Sequence, residues 1–411
     1  MLIARKYRLY PNPEQEQLLR RHFGCVRFVY NALLETKLRV YGESGKSLSR
    51  FELQVVIREM KAEYPWLKEV NSQSLQGCAL RLTSAFTNFC EGRAGMARFK
   101  SLRGRQAFHC PQSVSVLDGK LFIPKFRSGI EVKVHRPLGG TIRNATVSRD
   151  PSGKYYVSIT VETGKAAPEP KEVKRATAVG IDLGLKSFMV CSDGKHFDNP
   201  RHLDKSLGRL QVLQRRASHK KKGSRNRAKA MRKVAVLHEK TRNQRKDFLH
   251  KASSEIAGHY ETVCVEDLNI AGMMKNHHLA RAIGSVGWGM FVTFLKYKVA
   301  FRGGHVLECG RFDPTSKRHS GCGYLYQELT LDQRQWLCQG CGAMVDRDEN
   351  AALNILYYAL IRYFSNDCVE PDRCVPASCL AKAEAKKQKD SGSGLRPSLE
   401  ATFYEGGRSH T

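Results

Sequence analysis

The chain has 411 residues, enough at about 100–200 residues per domain for several domains with buried cores. Lys and Arg number 69 against 39 Asp and Glu, a formal charge of +30, and 41% of residues are hydrophobic, so the excess charge sits on a folded body and calls for a polyanionic partner. The longest apolar runs fall short of the roughly 18 residues of a membrane span, the first ten residues contain no signal-peptide core, and thirteen cysteines at irregular spacing argue against a disulfide framework.

Residues 3–9 alternate apolar and basic side chains and predict a strand. Asn12-Pro13-Glu14 supplies an N-cap, a proline suited to the first helical position and an acidic first turn, so a helix is expected to start there, with Leu18, Leu19, Phe23, Val26, Val29, Tyr30, Leu33 and Leu34 inward. Further helical patterns run from about Ser49 to Met60 and from Ser72 to Phe89, giving a helical module of about eighty residues. From about Gln106 the period becomes two. Short segments with turns at Asp118-Gly119 and Pro151–Gly153 predict antiparallel strands, which a small β-barrel recruiting residues 3–9 would accommodate. Residues 164–176 read as a linker.

Beyond it, Ala178–Leu183 predicts a buried strand closing on Asp182, and Phe188–Cys191 a second. Residues 205–251 hold 17 Lys or Arg against two acids, with apolar positions at helical spacing and a turn near Lys220–Gly223, which predicts two basic helices folded back on each other. Val263–Val265 returns to strand, Trp288–Phe301 to helix and His305–Glu308 to strand, and the tail over 367–411 is polar and reads as disordered. Cys368, Cys374 and Cys379 in that tail lack metal-knuckle spacing, and His277-His278 reads as a surface pair.

Three constellations carry chemistry. His319-x2-Cys322 and Cys338-x2-Cys341 form two short knuckles, each followed by a glycine, and offer four thiolate or imidazole ligands with no open position, as a structural Zn²⁺ requires. Asp182, Glu266 and Asp348 stand at the ends or starts of predicted elements, where hard oxygen ligands for two divalent ions would converge. Each also has a plainer reading: Asp182 with Gly184 as a phosphate loop, Glu266 as a surface carboxylate, and Asp346–Glu349 as a helix capping box, which leaves Asp348 the freer of the two aspartates. The basic helices suit phosphate contact through Arg215, Arg216, Lys220, Lys221, Lys222, Arg225, Arg227, Lys229, Arg232 and Lys233, with little base discrimination.

Taken in order, Val179-Gly-Ile-Asp182-Leu-Gly, Val265-Glu266-Asp-Leu-Asn269, Gly287-Trp-Gly289, the knuckles and Asp346-Arg-Asp-Glu-Asn-Ala-Ala-Leu-Asn354 resemble TnpB, the insertion-sequence family related to type V CRISPR effectors. Tyr7–Pro13 and Gly24–Asn31 resemble its start, so the resemblance covers roughly residues 3–360. It implies an α+β multidomain protein: a β-barrel wedge domain (1–11 and 104–163), a helical recognition insert (12–103), a linker (164–176), and a RuvC-like nuclease domain of RNase H fold (177–366) with the basic hairpin (205–251) and a zinc-ribbon insert (312–345). It also implies an RNA-guided DNA endonuclease that acts as a monomeric ribonucleoprotein with guide RNA from the transposon end. That enzyme would cut double-stranded DNA beside a short motif, in the prokaryotic cytoplasm at the nucleoid.

On the resemblance, Asp182, Glu266 and Asp348 are the catalytic Mg²⁺ ligands, and His319, Cys322, Cys338 and Cys341 the zinc ligands, with His319 standing where the family usually has Cys. Ser72–Gln76 resembles the helix facing the DNA motif, which makes Gln76, and beyond it Arg81, candidate DNA contacts. A nuclease-inactive RNA-guided repressor and a compact type V effector are the alternatives on the same scaffold. A strand-transfer transposase would need an end-binding helix-turn-helix, which the sequence does not display.

Overall fold

The computed structural model describes residues 1–330 and 332–366, and the tail with its three cysteines lies outside them. The chain divides into two compact units, one of residues 1–169, 200–252 and 281–291, the other of residues 170–199, 253–280 and those from 292 onward.

In the first unit, β1 (Leu2–Tyr10) leads into α1 (Pro13–Ser44), α2 (Arg50–Glu63) and α3 (Ser72–Cys90). Asn12 caps α1 by accepting a hydrogen bond from the Gln15 N–H at 2.8 Å, and the Gln15 side chain returns one to the Asn12 N–H, so the predicted start is built as a reciprocal capping box. The strands β2 (Gln106–Cys110), β3 (Ser115–Leu117), β4 (Lys120–Ile123), β5 (Phe126–Lys133), β6 (Thr141–Arg149) and β7 (Tyr155–Glu162) join β1 in one antiparallel sheet ordered β2-β6-β7-β1-β5-β4-β3. β2 and β3 are the two ends of that order and do not pair with each other, so hydrogen bonds do not close the expected barrel; β3 is only three residues long.

The helices and the sheet share one hydrophobic core. Leu19, Val26, Leu33, Leu53 and Leu75 bury against Phe108, Val147 and Val157, and the His22 ring lies 5.0 Å from that of Phe108. The helical segment therefore depends on the sheet to cover its apolar face.

Two basic helices belong to this unit, α4 (His202–Ser218) and the part of α5 (Arg225–His259) up to residue 252. The β6–β7 turn docks on α5: Arg242 pairs with Asp150 at 2.6 Å, Arg232 Nε donates to the Ser152 carbonyl at 3.0 Å, and buried Glu239 accepts from the Tyr156 hydroxyl at 2.5 Å.

The second unit is built on β8 (Ala178–Leu183), β9 (Ser187–Cys191), β10 (His196–Asp198), β11 (Thr262–Glu266) and β12 (His305–Cys309), in the order β10-β9-β8-β11-β12. β8, β11 and β12 run parallel, and β9 and β10 antiparallel. Between β11 and β12 come α6 (Ile270–Met273), α7 (His277–Val286) and α8 (Trp288–Ala300), the last two shared with the first unit. A small hairpin of β13 (Gln335–Leu337) and β14 (Met344–Asp346) precedes α9 (Arg347–Asn366). The expected linker is packed from Lys171 onward, because Val173 buries in the core beneath α9 and Lys171 N–H donates to the Gly303 carbonyl at 2.8 Å.

α9 lies on β8 in direct backbone contact at Gly180. A Cβ there would collide with the Ala352 carbonyl oxygen and stand 2.8 Å from the Leu356 nitrogen. Gly180→Ala should therefore force α9 off the strand and destabilise the unit by about 3 kcal/mol. Denaturant melts should show a lowered midpoint; an unchanged midpoint would remove this contact from the account of the fold.

Candidate functional site: a carboxylate centre beside a Cys/His cluster

The parallel pairing of β8 with β11 sets Ile181 opposite Val265, so Asp182 and Glu266 follow side by side at the carboxyl ends of neighbouring strands. That is where open α/β sheets present their functional groups. Asp348 comes from the first turn of α9. Asp346 caps that helix, its Oδ1 accepting from the Asp348 and Glu349 N–H groups at 3.0 and 3.1 Å. The capping work thus falls on Asp346 and leaves the Asp348 carboxylate for other partners.

The three carboxylates feel one another. Burial first, and then the charges of Glu266 and Asp348, push Asp182 up to about 7, against the opposing pull of Arg347 and Arg334. Crowded like charges of this kind favour a proton or a cation among them. Hard oxygen donors gathered at strand ends fit a divalent ion such as Mg²⁺.

Two neighbours hold this centre. The Thr315 hydroxyl donates to Glu266 Oε1 at 2.7 Å, and Arg334 spans both oxygens of Asp348 at 2.9 and 3.0 Å. Arg334 has no local sequence signal, because it lies fourteen residues before its partner in an otherwise irregular stretch.

His319, Cys322, Cys338 and Cys341 form the one group among the described residues whose ligand atoms all lie within 4.8 Å of one another. His319 Nδ1 is 3.1 Å from Cys322 Sγ and 3.4 Å from Cys341 Sγ, and the Cys322 and Cys338 sulfurs are 3.5 Å apart. These separations suit a single tetrahedral ion, so the cluster is a possible metal site. Gly323 and Gly342 take positive φ of 79° and 71°, which lets each knuckle turn back on its ligands. The Tyr324 backbone N–H and then the His319 ring hold the Cys322 thiol below its ordinary range, while the neighbouring Cys322 and Cys338 sulfurs help push Cys341 up.

Buried Asn350 and Asn354, one turn apart on α9, tie this cluster to the helix that bears Asp348. Asn350 Oδ1 accepts from the Ser320 N–H at 2.7 Å and its amide donates to the Arg318 carbonyl at 2.7 Å, while Asn354 donates to the Thr315 carbonyl at 2.8 Å. Their spacing was readable in the sequence as two polar residues on one turn of an apolar helix.

The other expected contacts are distributed over the first unit. Arg215, Arg216, Lys220, Lys221, Lys222, Arg225, Lys229 and Lys233 are exposed on α4, α5 and the turn between them. Arg227 donates to the Lys220 carbonyl at 2.9 Å and Arg232 to Ser152, so both are engaged within the protein. Gln76 is exposed on α3, and Arg81 lines a cavity beside that helix. No helix of the described residues is long and apolar enough to cross a membrane.

Similarity to known proteins follows the same segments. A family described as "Probable transposase" (OrfB of IS605) matches residues 156–277, and one described as "Cas12f1-like, TNB domain" matches residues 288–355. A third, described as a helix-turn-helix domain, matches residues 1–46, which here form β1 and the single uninterrupted helix α1. Two relatives carry the name "Putative RNA-guided DNA endonuclease". The protein of Streptomyces pristinaespiralis is 38% identical over 402 residues, covering 96% of this chain and 98% of the relative. InsQ of Escherichia coli K12 is 33% identical over 374 residues, covering 86% and 92%. A Cas12f1 chain solved by cryo-EM with single-guide RNA and target DNA overlaps 87% of this chain and 98% of its own length, at 14% identity and a TM-score of 0.47. With relatives that align from end to end, and with the transposase match spanning the first two carboxylates, the chain belongs to the TnpB family.

Proposed function

We propose that the protein is an RNA-guided DNA endonuclease of a transposable element, which cuts DNA beside a short duplex motif by metal-dependent phosphodiester hydrolysis. The observation that carries this reading is that Asp182 and Glu266 each follow the registered pair Ile181 and Val265 at neighbouring strand ends, joined by Asp348 from the helix laid across their strands. The names of the full-length relatives support it. The sheet order β10-β9-β8-β11-β12, with three parallel and two antiparallel strands, supports a RuvC-like domain of RNase H fold. Within the first unit, residues 1–11 and 104–163 are read as a wedge domain with 12–103 as its recognition insert, although the basic hairpin (205–251) assigned to the nuclease region packs in that same unit; the knuckle segment 312–345 is read as a zinc ribbon. The linker (164–176) and the nuclease region (177–366) complete that division. The working assembly is a monomeric ribonucleoprotein with its guide RNA, in the prokaryotic cytoplasm at the nucleoid.

Asp182, Glu266 and Asp348 would hold two Mg²⁺, and such ions supply activation of water and stabilisation of the leaving 3′-oxygen when bound. The chain's own residues position the rest. Thr315 fixes the rotamer of Glu266 by its hydrogen bond, and Arg334, whose Nη1 donates to both oxygens of Asp348, brings beside it a guanidinium, a group that meets phosphate as well as carboxylate. Exposed cations of α4 and α5 would hold phosphates without reading bases, so guide pairing supplies the sequence. Gln76, exposed on α3, presents the amide geometry that pairs with adenine and is proposed to read the short motif. All three carboxylates are present, which favours the nuclease over an inactive repressor on the same scaffold.

Protein purified with its own RNA should cut matched duplex DNA in Mg²⁺. Asp182→Ala should lower that rate by about three orders of magnitude, equivalent to several kcal/mol of transition-state stabilisation, while RNA retention is unchanged. Full cleavage by the variant would overturn the site. Metal analysis should find one zinc per chain, with His319→Ala reducing it; undiminished stoichiometric zinc in that variant would exclude His319 as a ligand.

A further inference from the structure

Four cations surround a cavity of about 580 Å³ in the first unit: Arg27 of α1, Arg81 of α3, and Lys100 and Arg105 of the segment that leads into β2. Two of them are fixed by the protein. Arg27 donates to Gln106 Oε1 at 3.0 Å, and the Lys100 ammonium sits 3.4 Å from the centroid of the Tyr30 ring. The Asn31 side chain clamps both backbone groups of Lys100, accepting from its N–H at 2.8 Å and donating to its carbonyl at 2.9 Å. None of the four cations forms an ion pair among the described residues. Burial, opposed by Cys78 and aided by the nearby Arg81, brings the Lys100 ammonium down to about 8, and burial lowers Arg81 in the same direction.

Desolvated like charges without a carboxylate cost stability. Arg27, Arg81 and Lys100 are half-buried and, with exposed Arg105, converge on one cavity whose lining includes the largely exposed Phe99. We propose that this cavity binds a phosphodiester group of a nucleic-acid strand, with Arg81, Lys100 and Arg105 meeting the phosphate oxygens and Phe99 supporting the adjoining base. It rests on the nucleic-acid reading above and adds a discrete phosphate site away from the basic helices.

The test measures affinity of the full-length protein for labelled single-stranded RNA and for duplex DNA across a salt series without Mg²⁺, so cleavage plays no part. Arg81→Gln with Lys100→Gln should weaken binding and reduce the slope of log K against log salt by about one to two for one of the two probes. An effect on RNA alone identifies the guide strand as occupant, and an effect on DNA alone the target duplex. Arg39→Gln with Lys68→Gln removes the same charge from exposed positions and should change the slope less; equal effects of the two pairs would overturn the proposal. The free double variant should melt no lower than the parent, because two half-buried like charges are gone. A lower melting temperature with unaltered salt slopes would assign the cations a structural role and overturn it. A parent protein that binds neither probe would fail the nucleic-acid reading itself.

Discussion

The carboxylate centre depends on two backbones lying closer than side chains allow. Gly180 has no Cβ, so α9 rests directly on β8 at Ala352 and Leu356, and its first turn reaches the strand end that carries Asp182. Asp182 and Asp348 are thereby placed by hydrogen-bonded backbone on both sides. Their repulsion is held in the fold and is not relaxed by side-chain rotation. The parallel ladder adds Glu266 by the same logic, since it follows Val265, the residue that β8 holds opposite Ile181, while its own ladder partner is Cys309 of β12.

The large positive charge is organised unevenly. On α5, Arg232 and Arg242 are consumed by the β6–β7 turn, and Glu239 anchors Tyr156 and Lys154. These contacts fasten the basic helix to the sheet of its own unit and leave the neighbouring lysines and arginines in solvent. A surface that is both rigid and unneutralised gains most from a polyanion, because little side-chain order has to be imposed on binding.

Much of this was legible before the fold. The N-cap at Asn12, the two-residue period after Gln106 and the knuckle spacing are local signals, and each corresponds to a structural element. The choice of Asp348 over Asp346 also followed from local chemistry, since a capping aspartate has its oxygens engaged. What escaped was non-local. Arg334 meets Asp348 only because the β13–β14 hairpin returns the chain to α9, and Val173 looks like linker until α9 covers it. The helices between β1 and β2 read as a separate module, yet their apolar faces are completed by sheet residues distant in sequence, such as Val147.

The segment bearing the Cys/His cluster enters through Thr315–Ser320, which Asn350 and Asn354 grip, and leaves through Asp346, which caps the same helix. Both ends of the segment are thus fastened to the opening turns of α9. It behaves as a cassette: length added between Cys322 and Cys338 would cost little closure entropy, growing only with the logarithm of loop size. Neither Thr315 on Glu266 nor Asp346 beneath Asp348 would have to move. The same fastening lets this part of the chain vary in evolution or be exchanged by design while the carboxylates keep their places.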